Sequence, residues 1–308
     1  MSTLTYPEAI GVGLLQGVTE LFPVSSLGHS ILVPALLGGK VQHDLDMTAE
    51  GSSYLAALVA LHLATALALV VYFRKDWVRV IDGLIGSIRH RRVETRNEKL
   101  AWLLILSTIP VGVAGLALEK ALRNALGKPV PAAVFLALNG LVLLGAERLK
   151  RGGTGRRRAG NGGHAAPADA PGPDPAIASD QRLTRLSFGQ GAWIGAAQIL
   201  ALFPGISRSG VTMSAGVLRG LHHEDAARFS FLLATPVILA ASALKVPELF
   251  KPENSGVLGP VLAGSVAAFV AGYVSVRFLT KYFETRSLTP FAVYCFLAGT
   301  ASAVYLSL

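Results

Sequence analysis

The feature that most constrains this sequence is a set of apolar stretches, each about 20 residues long, that could each cross a bilayer core about 30 Å thick. Only 15% of its 308 residues are charged, whereas an ordinary soluble domain has about 25%. This composition excludes a disordered chain and argues against a soluble enzyme. We therefore predict an all-α polytopic membrane protein with six spanning helices, at residues 54–73, 100–118, 131–149, 226–245, 257–279 and 289–307.

Two further apolar regions, residues 7–37 and 188–219, are each interrupted near the middle, at Pro23 and Pro204. A proline ends a helix, and the serines that follow each proline can cap the next helix. Each half-helix is too short to span the membrane. Broken backbone at membrane depth is tolerated only where protein buries it or a watery cavity meets it. We therefore predict two re-entrant helix–loop–helix hairpins.

Residues 151–185 differ from the rest of the chain because they contain almost no large apolar side chain. A segment this rich in Gly, Ala and Pro cannot bury a core, and we predict a disordered cytoplasmic linker. We assign its arginine run, residues 156–158, to membrane orientation or contact with anionic lipid rather than to nucleic acid.

The linker divides the chain into two repeats, residues 1–150 and 186–308. The sequence Leu-Phe-Pro ends at Pro23 in the first repeat and at Pro204 in the second, and a serine follows three residues later in both. Each repeat holds one hairpin and three spans. Because three is odd, the second repeat must be inverted relative to the first. We predict an inverted-topology repeat whose two hairpin tips meet near the bilayer midplane.

The basic residues predict the orientation of the chain. Most of the 28 Lys and Arg lie in two predicted loops, residues 74–99 and 148–185. Cytoplasmic loops of membrane proteins carry an excess of Lys and Arg, so we predict that both termini lie outside the cell. The same rule explains the net charge of +9 without a nucleic-acid partner. A single cysteine, Cys295, excludes an intrachain disulfide and a cysteine-based metal site.

The first hairpin tip contains five polar residues that could carry chemistry: Gln16, Glu20, Ser25, Ser26 and His29. A carboxylate at membrane depth is costly unless it faces a cavity or a partner. Ser26 and His29 could act as nucleophile and base, and Glu20 could orient the histidine, hold a metal or act as the base itself. The structural alternatives are an interfacial Glu20, a packed His29 and serines that only cap a helix. His62 lies inside a predicted span, and we expect it to be packed rather than to face the site.

The second hairpin tip centres on Arg208, where a half-helix begins. Free backbone N–H groups at a helix start favour an anion, and a guanidinium matches phosphate oxygens. Further donors, and a glycine that allows close approach of the backbone, come from Ser207, Ser209, Gly210 and Thr212. We predict a phosphate-binding site here. The alternative, a structural ion pair between Arg208 and Glu20, is compatible with it when no substrate is bound.

Both tips resemble the bacterial undecaprenyl-diphosphate phosphatase family of the bacitracin-resistance type. The first motif of that family reads E-G-x-T-E-x-x-P-V-S-S-x-G-H and corresponds here to residues 16–29. The second reads P-G-x-S-R-S-G-x-T and corresponds to residues 204–212. The resemblance covers nearly the whole chain apart from the linker. It implies an integral membrane hydrolase that removes the terminal phosphate of undecaprenyl diphosphate at the outer side of the inner membrane. This reaction recycles the lipid carrier of peptidoglycan synthesis and confers bacitracin resistance.

The resemblance also implies roles for individual residues. Glu20, Ser26, His29 and Arg208 match catalytic positions, and the surrounding residues that match substrate-binding positions are Ser25, Ser207, Ser209, Gly210 and Thr212. Gln16 departs from the motif, which has a glutamate there. An amide binds a divalent cation only through a neutral oxygen, so we expect Mg²⁺ or Ca²⁺ to be held weakly by Glu20 and Gln16. Leu27 is a second departure.

We interpret the chain as a lipid-diphosphate phosphatase in which either Ser26 or an activated water attacks the phosphorus. The alternative is a flippase for polyprenyl phosphate, because transporters also use inverted repeats with paired hairpins. The Ser26–His29 pair favours the enzyme, since binding alone needs no nucleophile. The expected partners are a polyprenyl diphosphate and the membrane, without nucleic acid. Whether the chain forms a homodimer is left open.

Overall fold

The structure, a computed structural model, describes residues 4–47, 53–157, 175–250 and 256–308. Within these ranges the regular secondary structure is entirely helical. The first part of the chain forms seven helices, α1 (Tyr6–Thr19), α2 (Ser26–Leu37), α3 (Gly39–Asp44), α4 (Ser53–Tyr72), α5 (Arg74–His90), α6 (Arg96–Leu126) and α7 (Pro129–Arg157). The second part forms six more, α8 (Pro175–Leu183), α9 (Phe188–Ala197), α10 (Arg208–Leu218), α11 (His223–Lys245), α12 (Leu258–Thr285) and α13 (Thr289–Ser307).

Several of these helices suit membrane spans by length and composition. Five contain an apolar stretch long enough to cross a membrane, in α6, α7, α11, α12 and α13. Helices α4 and α5 meet at a bend of 84° and provide a sixth span if the bent pair is taken as one. Every predicted spanning segment lies in a helix. The prediction of an all-helical membrane protein with several apolar helices is therefore confirmed.

The four helices on either side of the two Leu-Phe-Pro sequences are short. Helices α1 and α9 both begin with a capping box, Thr5 with Glu8 and Ser187 with Gln190. They have 14 and 10 residues, and α2 and α10 have 12 and 11. At 1.5 Å per residue, each is too short to cross the bilayer alone. A break, residues 20–25, separates α1 from α2. In the second pair a 3-10 helix, Gln198–Leu202, follows α9, and a second break, residues 203–207, leads from it to α10.

Helix α5 occupies most of a segment that we predicted as an inner loop. Its exposed apolar side chains Val78, Ile81, Ile85 and Ile88 recur every three or four residues. Such a helix, with an apolar stripe on one side and charges on the other, is typical of a membrane interface. The segment has no continuous apolar run, which is why the span prediction did not include it.

A buried ionic cluster ties α8 to α5 and α11. The Arg228 guanidinium donates to Asp76 at 2.8 Å and to Asp180 at 2.7 Å, and Arg79 pairs with both carboxylates. Burial raises the pKa of the Asp180 carboxyl, and the neighbouring guanidinium groups oppose that rise. These contacts hold the end of the predicted linker in a helix. Residues 158–174 lie outside the described residues, so the disorder predicted there stays a prediction.

Small residues set the distances between the main helix pairs. Helix α1 packs on α12, α9 on α6, and α7 on α13. A Cβ atom added to Gly13 would overlap the Gly264 carbonyl, and one added to Gly195 would overlap the Ser107 backbone. Close approach through small residues is the usual packing mode of membrane helices, where apolar burial provides no driving force between them. The short helices are thus held directly against long ones.

We predict that Gly13→Ala lowers the thermal unfolding midpoint of the purified protein in detergent, because the new methyl group must push α1 away from α12. Overpacking of this kind costs about 1–3 kcal/mol. Gly11→Ala is the matched control, since a Cβ there meets no atom within 4 Å and alanine favours a helix. Equal midpoints for the two variants would contradict the described packing of α1.

Candidate active site

The first break begins where α1 ends. Glu20 caps α1, and its backbone N–H donates to the carbonyl of Gln16. Ser25 caps α2, and its hydroxyl accepts a hydrogen bond from the N–H of Gly28 at 3.2 Å. The φ angle of Ser25 is 71°, a left-handed conformation that side chains other than glycine adopt rarely and at a cost. The backbone therefore turns sharply and places Glu20 and Ser26 on the same side of the break.

The second break leads into α10. The Ser207 hydroxyl caps this helix by accepting from the N–H of Gly210 at 3.1 Å, and it lies 3.0 Å from the Ser209 hydroxyl. Gly205 has a φ of 106°, and a Cβ there would overlap the Ala132 carbonyl on α7. The serine cap that we predicted is present, and Arg208 is the first residue of the helix.

The two breaks touch each other. A Cβ added to Gly28 would lie 2.9 Å from the Cα of Gly205. The Ser209 hydroxyl donates to the Phe22 carbonyl at 3.2 Å. The buried amide of Asn139, on α7, contacts both breaks through hydrogen bonds. The two interruptions that the prolines predict are therefore in direct contact with each other.

This contact brings Arg208 against Glu20. The guanidinium Nη2 donates to Oε1 of Glu20 at 2.9 Å, between residues 188 positions apart in the sequence. The two side chains are only 13% and 6% exposed. Breaking a buried ion pair by removing one partner is costly because it leaves an uncompensated charge. The structural ion pair that we considered as an alternative is thus present, in the same place as the predicted phosphate site.

The second carboxylate oxygen of Glu20, Oε2, makes three further contacts. The Ser26 hydroxyl donates to Oε2 at 2.6 Å, and the side-chain amide of Gln16 donates to it at 3.1 Å. Nε2 of His62 lies 3.4 Å from the same oxygen. The expectation that His62 is packed away from the site is therefore wrong. Helical spacing alone could not reveal this, because the facing of α4 depends on its neighbours α1, α11 and α12.

His29 has different partners from those we expected. Its Nδ1 lies 2.7 Å from the Ser25 carbonyl, and since a carbonyl only accepts, Nδ1 carries a proton. Its Nε2 lies 2.8 Å from the hydroxyl of Tyr294 on α13, whose ring stacks on the imidazole. The Ser26 hydroxyl donates to Glu20 instead. The geometry therefore makes Glu20, and not His29, the hydrogen-bond acceptor of Ser26.

Several of the other residues predicted to bind phosphate form hydrogen bonds within the protein. The Thr212 hydroxyl donates to the Arg208 carbonyl at 2.7 Å, one helical turn earlier. The Ser207 and Ser209 hydroxyls contact each other. Two buried atoms of the site have no partner among the described residues, Nη1 of Arg208 and Oε1 of Gln16. A buried polar atom without a partner is costly, so both atoms point to a group that binds here.

The site contains two hard oxygen donor groups, the carboxylate of Glu20 and the Oε1 of Gln16, which has no partner among the described residues. Such donors suit Mg²⁺ and Ca²⁺, so the residues present fit the predicted cation in kind. The described residues contain no group of three or more His, Cys, Asp or Glu that could hold a metal. Any cation here would therefore need further oxygen ligands of another kind, such as hydroxyls, carbonyls or oxygens of a bound molecule.

A polar cavity of about 310 Å³ lies elsewhere, between the start of α11 and the turn that joins α12 to α13. Its lining includes Arg182, His223 and Arg286. None of the residues of the two breaks lines it.

Comparisons with known proteins agree on one family. The family described as Bacitracin resistance protein BacA matches residues 9–301. A protein of Mycolicibacterium paratuberculosis named undecaprenyl-diphosphatase is 59% identical over 305 residues, which is 99% of this chain and 98% of the relative. Undecaprenyl-diphosphatase 2 of Frankia alni is 49% identical, with 99% of this chain and 98% of the relative covered. Undecaprenyl-diphosphatase 2 of Burkholderia ambifaria is 43% identical, with 94% and 92% covered.

The buried ion pair yields a prediction about stability. We expect Arg208→Met to lower the unfolding free energy by roughly 3–5 kcal/mol, because it leaves the Glu20 carboxylate buried without its guanidinium. Adding Glu20→Gln should recover most of that loss, since the uncompensated charge is then removed. Thermal and denaturant unfolding in detergent measure both. Arg277→Met on the exposed face of α12 is the control, and a double variant no more stable than Arg208→Met would refute the pairing.

Proposed function

The chain belongs to the family of bacitracin resistance protein BacA, and we propose that it hydrolyses undecaprenyl diphosphate to undecaprenyl phosphate and inorganic phosphate. The activity is that of its relatives named undecaprenyl-diphosphatase. It recycles the lipid carrier of peptidoglycan synthesis and confers bacitracin resistance. The observation within the molecule that carries the proposal is the Arg208–Glu20 pair beside the Ser26 hydroxyl.

We further propose that the chain is an inverted repeat with two re-entrant hairpins. The packing supports it by its reciprocity: α1 of the first repeat packs on α12 of the second, and α9 of the second packs on α6 of the first. The last helices of the two repeats, α7 and α13, pack on each other. Both short helices before the breaks begin with capping boxes, at Thr5 and Ser187.

The orientation remains the one that the basic residues predict, with both termini and the opening of the site on the outer side of the inner membrane. The ionic cluster of Arg79 and Arg228 then lies at the cytoplasmic end of the helices. An outward opening suits a substrate whose phosphate is released outside the cell. Whether the protein is a homodimer is a separate prediction, and light scattering of the purified protein checks it.

Substrate binding requires Arg208 to exchange its partner. We propose that the diphosphate replaces Glu20 as the acceptor of the guanidinium, and that the unpartnered Nη1 takes a second phosphate oxygen. A planar fork of two N–H donors matches phosphate geometry. The start of α10 adds the positive end of a helix dipole. Glu20, released from Arg208, keeps its contact with the Ser26 hydroxyl.

In the first chemical step, the Ser26 oxygen attacks the terminal phosphorus while its proton passes to Glu20. The bridging P–O bond breaks, and undecaprenyl phosphate leaves. In the second step, water attacks the phosphoserine, His29 accepts its proton at Nε2, and Glu20 returns the first proton to Ser26 as phosphate leaves. The tautomer with a proton on Nδ1 keeps Nε2 free to accept once the Tyr294 hydroxyl yields its place. Positioning and charge stabilisation dominate catalysis in such phosphoryl transfers.

A divalent cation, when bound, would offset part of the negative charge of the diphosphate. Gln16 and Glu20 are the residues of this chain that would hold it. The neutral amide of Gln16 supplies one oxygen and no charge, which weakens the site relative to two carboxylates. The protein itself supplies positive charge to this site through the Arg208 guanidinium.

The deciding experiment measures phosphate release from undecaprenyl diphosphate by the purified protein in detergent. We expect Ser26→Ala, His29→Ala and Arg208→Ala each to lower kcat by at least about 100-fold. Ser30→Ala, which is buried on the same helix one turn later, serves as the control and should retain activity. A wild-type protein that releases no phosphate yet moves the lipid across liposomes would overturn the proposal in favour of the flippase.

The Gln16 departure is tested by restoring the carboxylate. We expect Gln16→Glu to bind Mg²⁺ or Ca²⁺ on the order of tenfold more tightly, because a second negative oxygen ligand joins Glu20. Calorimetric titration of the protein with metal alone measures this without an activity assay. Gln190→Glu, the same change at the exposed start of α9, is the control. Equal affinity in both variants would exclude residue 16 as a ligand.

A further inference from the structure

Asn139 occupies the point where the two breaks and α7 meet. Its side chain is completely buried. The amide nitrogen donates to the Pro23 carbonyl of the first break at 3.0 Å, and the amide oxygen accepts from the Ser207 N–H of the second break at 3.0 Å. The nitrogen also lies 3.4 Å from the Cys295 sulfur. Both the amide nitrogen and the amide oxygen of Asn139 are thus hydrogen-bonded within the protein.

Both backbone groups that Asn139 contacts lie outside the helices. The Pro23 carbonyl follows the end of α1, and the Ser207 N–H precedes α10. Neither forms a backbone hydrogen bond of α1 or α10, and a buried backbone group must find a partner elsewhere. A primary amide is suited to this task because it donates and accepts from one rigid plane.

The two contacts control the distance between the reacting groups. Pro23 lies three residues after Glu20 and three before Ser26, and Ser207 is the residue before Arg208. Asn139 therefore links the backbone that carries the carboxylate and the hydroxyl to the backbone that carries the guanidinium. Two further polar links join these segments among the described residues, the Arg208–Glu20 pair at 2.9 Å and the contact of the Ser209 hydroxyl with the Phe22 carbonyl at 3.2 Å.

We propose that Asn139 is a positioning residue for phosphoryl transfer, which sets the Arg208 guanidinium against the Ser26 hydroxyl by bridging the two breaks. The inference rests on the proposed function and deepens it. A displacement of about 1 Å at a reacting centre lowers the rate by about 100-fold. Asn139 touches neither Glu20 nor Arg208 in the described hydrogen bonds, so it acts through the backbone.

The test compares Asn139→Ala with Ser107→Ala. Ser107 is equally buried, and its hydroxyl donates to the Gly191 carbonyl at 2.7 Å between α6 and α9, away from the breaks. Asn139→Ala loses two buried hydrogen bonds and Ser107→Ala loses one, so both should lower the thermal midpoint. We expect kcat/KM for undecaprenyl diphosphate to fall about 30- to 100-fold in Asn139→Ala, and less than about threefold in Ser107→Ala.

A second measurement separates positioning from general destabilisation. The Arg208→Lys variant already lacks the planar guanidinium fork. When two substitutions act through the same group, their effects on the rate do not add. Added to the Arg208→Lys variant, Asn139→Ala should then cost less than about fivefold in kcat/KM. A full loss in that background, or an equal loss in Asn139→Ala and Ser107→Ala, would overturn the inference. Asn139→Ser takes the place of the alanine variant if the latter is not recovered folded.

Failure of the proposed function has a different signature. If the wild-type protein releases no phosphate, the same variants are titrated with inorganic pyrophosphate. Weaker pyrophosphate binding in Asn139→Ala than in Ser107→Ala would still support the positioning role, because the guanidinium would be misplaced. Unchanged pyrophosphate binding would overturn it.

Discussion

The structure depends on one carboxylate that is buried at the meeting point of the two breaks. Glu20 accepts hydrogen bonds from Arg208, Ser26 and Gln16, and His62 lies beside it. A carboxylate inside a membrane protein is costly unless such partners surround it. The partners come from α1, α2, α4 and α10, so the charge can be buried only when these helices have assembled. The ion pair is therefore a structural requirement, and under the proposed function it is also the state of the site before the diphosphate binds.

The surrounding helices give this polar centre its precision. A helix too short to span the bilayer needs support from its neighbours, and here α1 and α9 pack against the long helices α12 and α6 through small residues such as Gly13 and Gly195. Asn139 then satisfies backbone groups that the breaks leave without partners. Buried polar networks of this kind are stable only when nearly every member is satisfied. Two atoms of this centre, on Arg208 and Gln16, have no partner among the described residues, and the proposed function assigns them to the substrate and the cation.

Part of the candidate site could be predicted from sequence because its members lie close together along the chain. Gln16 and Glu20 are one helical turn apart, and Ser26 follows across a single break. Tyr294, His62 and Asn139 were missed as site residues. They come from long apolar helices whose facing depends on tertiary packing, and the contact of Tyr294 with His29 joins residues 265 positions apart. The pairing of Ser26 with Glu20 rather than His29 also depends on side-chain direction, which motif spacing does not specify.

The sequence by itself determined the helical class, the position of the apolar helices and the two interruptions, because apolar length and proline act locally. It also determined which residue types could bind phosphate. Tertiary structure alone decided which donor meets which acceptor: Arg208 with Glu20, Ser26 with Glu20, and His29 with Tyr294. The tertiary structure also showed that α5 and α8 are helices, which could not be predicted because neither segment contains a long apolar run. The physical reason is that a hydrogen bond forms only when donor and acceptor lie within a few tenths of an ångström of the ideal distance. Here the donor and acceptor often belong to elements far apart in the chain.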